Sequence, residues 1–141
     1  MQSSLAYLLA PALGYLLAQT TKYSLGLRSG KGWKAMTRSG GMPSGHTATV
    51  TALVAVIFFH EGASDLFAVA TAYATLFVYD ALVARRSIGE QGSALLRLIE
   101  KSPFAKDPLP RVAIGHKPLE VLVGAFIGAV VGGVVALFIT V

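Results

Sequence analysis

Apolar residues run along the chain in four blocks, separated by short connections that carry most of the charge. The last block, residues 121–141, has no charged side chain over 21 positions. As a helix it is long enough to cross the ~30 Å hydrocarbon core of a bilayer. Residues 63–84 are interrupted only by Asp65 near one end and Asp80 near the other. The blocks at 5–18 and 47–59 are shorter and reach spanning length when Gln19–Tyr23 and Pro43–His46 lie in the interface or a polar cavity. The pattern predicts an all-α fold in one domain, 1–141. It is an integral membrane helical bundle of about four membrane helices, at 4–24, 44–60, 63–85 and 118–141, plus a short amphipathic helix near 90–101.

Pro103, Pro108 and Pro110 make 102–118 irregular chain, and Pro118 suits a first helical turn, where its missing N–H costs nothing. Gly124, Gly128 and Gly132 recur every four residues and form one smooth stripe that lets another helix approach closely. The sequence assigns this stripe to packing within the chain ahead of a dimer face; a homodimer stays open.

Charge then orients the bundle. The connection 60–65 holds no Lys or Arg. The connection 22–38 holds Lys22, Arg28, Lys31, Lys34 and Arg38, and 85–117 holds Arg85, Arg86, Arg97, Lys101, Lys106, Arg111 and Lys117. The positive-inside rule places both basic connections in the cytoplasm and both termini outside. The N-terminus lacks a basic start and a small-residue cleavage site, so the first block is expected to remain as a membrane helix.

Composition agrees: 54% of residues are hydrophobic and 13% charged, against about a quarter charged in soluble domains. Mean hydropathy is +0.63. A soluble domain of this size lacks the interior to hide so much apolar surface. The net charge of +5 is accounted for by positive-inside topology and anionic headgroups, with no nucleic acid partner. The absence of cysteine excludes disulfides, thiolate metal sites and thiol nucleophiles.

Two stretches carry candidate chemistry: Gly40-Gly41-Met42-Pro43-Ser44-Gly45-His46 and Gly115-His116-Lys117-Pro118-Leu119-Glu120. Each sets a histidine at the head of an apolar segment, where helix N–H groups and the positive end of the dipole favour an anion. His116 and Glu120 lie one helical turn apart, so the carboxylate can hold one ring nitrogen and leave the other aimed at phosphorus. His46 is then the acid, with Ser44 and the amides of Ser44, Gly45 and His46 as oxygen ligands. One such histidine alone would be an interfacial side chain, and Glu120 a mere cap; the pair points to phosphoryl chemistry. His60 has no such neighbours and is expected in a loop.

These residues resemble the type-2 phosphatidate phosphatase and vanadium haloperoxidase superfamily, whose pattern is Lys-x6-Arg-Pro, then Pro-Ser-Gly-His, then Ser-Arg-x5-His-x3-Asp. Lys31 and Arg38 keep the first spacing, although Ser39 replaces the proline. Pro43-Ser44-Gly45-His46 matches in full, and His116-x3-Glu120 matches with glutamate for aspartate. Leu109-Pro110 stands where the Ser-Arg pair belongs. The whole chain is more similar to the divergent, short membrane branch of that superfamily, which shows Gly-Gly-Met-Pro-Ser-x-His and Gly-His-x-Pro-x-Glu-Val. Between them that branch has a block seen here as Tyr79-Asp80-Ala81, Arg85-Arg86 and Gly89-Glu90-Gln91.

The resemblance implies a two-step mechanism that needs no metal or cofactor. His116 attacks phosphorus to form a phosphohistidine, Glu120 orients it, and His46 protonates the leaving group and later activates water. Lys31 and an arginine bind phosphate oxygens; Arg85 is the choice, with Arg38 and Arg111 as alternatives, while Arg86 is read as a positive-inside flank. Asp80, an acid inside a membrane segment, is expected in a buried ion pair with Arg85 or Lys31. Glu90 either does the same or caps the 90–101 helix. The expected function is hydrolysis of a lipid phosphate or prenyl (di)phosphate in a bacterial inner (plasma) membrane, with the site on the cytoplasmic side. Phosphorylated lipid and the bilayer are the expected partners. The alternative is a non-enzymatic membrane protein that binds or transports phosphorylated lipids.

Overall fold

The computed structural model describes residues 2–28, 30, 40–103, 109, 112 and 115–139. Lys31, Arg38 and Arg111 lie outside the described residues. Among those described the chain is helical without strands. In order it forms α1 (Gln2–Arg28), α2 (Gly45–Glu61), α3 (Asp65–Tyr79), a π-helical turn (Asp80–Ala84), α4 (Arg85–Ile99) and α5 (Pro118–Phe138). Local signals set the helix starts. The Ser44 hydroxyl accepts the Thr47 N–H at 3.4 Å, and the Ser64 hydroxyl accepts the Phe67 N–H at 3.2 Å, both as N-caps. Gly62, at φ 66°, closes α2 by donating its N–H to the Phe58 carbonyl, which allows the tight turn into α3. Pro118 opens α5.

One boundary differs from the sequence pattern. A membrane helix ending near 85 and a separate amphipathic helix from 90 were expected. Instead α3, the π turn and α4 run on as one 35-residue helix, Asp65–Ile99. The switch from apolar to charged residues falls inside this helix. At ~1.5 Å per residue it is ~52 Å long, well beyond the ~30 Å hydrocarbon core. No proline breaks 86–89, and the charges that fall there pair along the helix. Arg85 Nε meets Asp80 Oδ2 at 2.7 Å, and Arg86 Nε meets Glu90 Oε1 at 3.0 Å. Glu90 therefore pairs and caps nothing. His60 also departs from expectation: it lies in the last turn of α2, its ring 5.7 Å from that of Tyr7.

Helix α2 is central, packed most extensively on α5 and also on α1 and α3, with α1 touching α5. The contacts are made by small residues. A β-carbon on Gly124 would lie 2.5 Å from the Ser44 carbonyl oxygen, one on Gly128 would strike Thr51 Oγ1 and the Ala48 carbonyl, and one on Gly132 would strike the Ala52 carbonyl. From the other side, Gly14 of α1 brings its backbone against Ala48 and Ala52. The glycine stripe is thus filled within the chain.

The core is correspondingly small in volume, built on Ala6, Ala10, Ala52, Val56, Ile57, Ala70, Val135 and Ala136. Large apolar side chains face outward: Phe126 is 71% exposed and Leu137 76%. Small residues between helices and large ones outside suit a lipid surround, where burying leucine against leucine gains little over leucine against lipid. Asp65–Ile99 and Pro118–Phe138 are each long and apolar enough to cross a membrane.

Candidate active site

Because Gly124 lets α5 lie on Ser44, the starts of α2 and α5 meet. The Ser44 N–H donates to the Glu120 carbonyl at 2.9 Å, joining the two motifs through their backbones. His46, in the first turn of α2, and His116, just ahead of α5, are brought to one end of the bundle. His46 is exposed and lies within electrostatic reach of His116, Arg85, Lys22 and Asp80.

The Glu120 carboxylate is the hub. Its Oε2 lies 3.0 Å from His116 Nδ1 and accepts the N–H of Gly41 at 3.1 Å and of Lys117 at 3.2 Å. An ionised carboxylate at Nδ1 selects the tautomer with the proton there and leaves Nε2 with a lone pair. The Lys117 bond also caps α5, so one oxygen serves the fold and the histidine together. Gly40 and Gly41 have φ of 91° and 92°, in the left-handed region where only glycine is unstrained, and this turn aims the Gly41 N–H at Glu120.

His116 is held from a third side. Its amide donates to the Ala81 carbonyl, in the π turn, at 3.3 Å. A β-carbon on Gly115 would lie 2.6 Å from the Arg86 nitrogen, so only glycine lets this strand of chain lie flat against the helix at Arg85–Arg86. The π turn is thereby coupled to the histidine, in keeping with the frequency of such turns at functional sites.

The remaining expected residues divide. Arg85 is within electrostatic reach of His46 and is bonded to Asp80. That pair is half-exposed, at 45% and 44%, where a buried pair was expected. Arg86 and Glu90 pair on a more exposed face. Ser44 is fully buried, its hydroxyl engaged by the Thr47 N–H and by the Thr47 hydroxyl at 2.9 Å, its amide by Glu120. It builds the junction and offers no surface to a phosphate. Gly45 packs against the Tyr15 ring, which would stand 3.3 Å from a β-carbon at this position. The expected phosphate ligands Lys31 and Arg38 are outside the described residues.

Lys22 was missed as a site residue. Its side chain is buried in α1, within electrostatic reach of Glu120, and its Cε would lie 3.2 Å from a β-carbon on Gly41. A signal existed: from residue 2 to residue 27 Lys22 is the sole charge, and an ionisable residue within an apolar helix usually has a function.

Helices with large apolar side chains on the outside, and two histidines and a carboxylate gathered at one end, define a helical membrane protein with a candidate site at that end. The chain belongs to the divergent PAP2 family, whose family model matches residues 4–131. It is also similar to the uncharacterized membrane protein YuiD of Bacillus subtilis (strain 168). The two are 37% identical over 122 residues, covering 75% of this chain and 77% of the relative. No solved structure matches the chain.

Proposed function

We propose that the protein is an integral membrane phosphatase that hydrolyses a lipid phosphate or prenyl (di)phosphate through a phosphohistidine. The observation that carries this reading is the Glu120–His116 hydrogen bond at Nδ1, with His46 within electrostatic reach of His116. In the first step the His116 Nε2 lone pair forms a bond to phosphorus. The bond from phosphorus to the leaving oxygen breaks, and that oxygen takes a proton from His46. In the second step neutral His46 takes a proton from water, whose oxygen attacks phosphorus; the P–N bond breaks and inorganic phosphate leaves. Glu120 stabilises the positive charge that develops on His116. Arg85 is suited to the phosphate oxygens, joined by Lys31 and Arg38 as the family pattern implies.

Reconstituted in nanodiscs, the protein is expected to release inorganic phosphate from at least one member of a panel of phosphatidate, phosphatidylglycerophosphate and polyprenyl mono- and diphosphates. Binding of these lipids with no release from any would sink the enzyme reading and leave a lipid-binding protein. The basic connections favour an active site facing the cytoplasm. Since the chain has no cysteine, an Ala63→Cys variant in the α2–α3 turn is expected to react with an impermeant thiol reagent from outside intact cells. Reaction only after lysis would reverse the orientation.

A further inference from the structure

Among the large apolar side chains more than half exposed on the helix Asp65–Ile99 are Val69, Tyr73 and Leu76 of α3, and Ile88, Leu95 and Leu98 of α4. Within each helix their spacings, four and three in α3 and seven and three in α4, put them on one face. The π turn decides how the two faces relate. Leu76 and Ile88 are twelve residues apart, which in a regular α-helix would turn Ile88 by about 120° from the α3 face. The bond from the Arg85 N–H to the Asp80 carbonyl, five residues back, takes up one extra residue. With that residue absorbed the separation is about three whole turns, so the apolar face of α4 follows on from that of α3.

The resulting strip is longer than a membrane core. From Val69 to Leu98 it runs ~44 Å at ~1.5 Å per residue, against ~30 Å of hydrocarbon. With an ordinary tilt of about 20°, its far end stands in the headgroup region or beyond. The rest of α4 suits that depth. Arg86, Glu90 and Arg97 lie across the helix from Leu95 and are exposed. Residues 85–101 hold Arg85, Arg86, Arg97 and Lys101 against Glu90 and Glu100. A third face is taken by the chain itself: Val112 would stand 3.1 Å from a β-carbon on Gly92, and Gly115 lies on Arg85–Arg86. Apolar on one side and cationic on another, α4 matches the boundary of a leaflet with anionic headgroups.

We propose that α4 is an interfacial helix: Ile88, Leu95 and Leu98 seat on the leaflet that holds the candidate site, with Arg97 and Lys101 among anionic phospholipid headgroups. Gly115 ties this helix to the chain just ahead of His116, so seating α4 fixes the depth of the histidines at the headgroup layer. The proposal does not depend on phosphatase activity.

Because the chain has no cysteine, a spin label can be attached singly through Ile88→Cys, Leu95→Cys or Leu98→Cys. Leu76→Cys is the lipid reference and Arg97→Cys the polar-face reference. In nanodiscs of phosphatidylglycerol and phosphatidylcholine, collisions with dissolved oxygen and with a water-soluble nickel chelate report the phase around each label. The oxygen-to-nickel ratio at positions 88, 95 and 98 is expected to lie several-fold above that at 97. Three separate positions keep the test intact if one variant does not fold. Ratios equal to that at 97 would put α4 in water and overturn the proposal. Labels shielded from both reagents would mean contact with protein, a second copy of the chain in the same disc, and would overturn it too.

Discussion

Replacing His116 with alanine is expected to reduce phosphate release by at least about 10³-fold, since removing a nucleophile removes the covalent route outright. Lipid binding should survive, because the imidazole contributes its lone pair to the reaction and little area to the bound headgroup. Replacing His46 is expected to be milder and substrate-dependent. Loss of a general acid or base costs about 10²–10⁴-fold when the leaving group is an alkoxide that needs the proton. With an aryl phosphate, whose leaving group departs unprotonated, His46→Ala should give a burst of phenol followed by slow turnover, since only the second step then lacks its base. Equal deficits of both variants on both substrates would count against the division of roles between the histidines. Glu120 explains why the roles differ. Of the two histidines His116 has a carboxylate at Nδ1, whereas among the described residues His46 is exposed and within electrostatic reach of Arg85 and Lys22.

Replacing Gly128 with leucine is expected to dismantle the site from ~12 Å along α5, about two turns nearer the C-terminus than Glu120 at ~1.5 Å per residue. A β-carbon there falls on Thr51 Oγ1 and the Ala48 carbonyl, so α2 and α5 must move apart. Overpacking typically costs about 1–3 kcal/mol, and the cost at this position should reach the upper end because the obstacle is backbone that cannot rotate away. The Ser44–Glu120 backbone bond that joins the two motifs is then lost, and activity with it. Gly133 is the control. Its β-carbon would meet only the edge of the Phe59 ring at 3.3 Å, a neighbour that can shift. Gly133→Ala is expected to leave the thermal unfolding midpoint unchanged or raised, while Gly128→Ala lowers it by several degrees in the same lipid. Equal tolerance at both positions would contradict close α2–α5 packing at the stripe.

Much of this was legible in the sequence where the determinant is local. Pro118 as a first turn and the i, i+4 relation of His116 to Glu120 each depend on a few neighbouring residues, and the structure has both. The glycine stripe was legible because its period of four matches the helix. Reading failed where the cause lies elsewhere in the chain. Ser44 looked available to phosphate, but α5 covers it. Asp80 looked buried by its position in an apolar run, yet it pairs with Arg85 at a half-exposed position on the helix. Lys22 falls among the loop charges in the sequence because its partner comes from residues 40–41 and 120, which no spacing within α1 reveals.

The decisive experiment is a rapid quench with ³²P-labelled lipid phosphate, followed by mapping of base-stable, acid-labile label on the protein. Label on His116 is expected in the wild type, longer-lived once formed in His46→Ala, and none in His116→Ala. Phosphate release that persists in His116→Ala, or label on another residue, would contradict the mechanism.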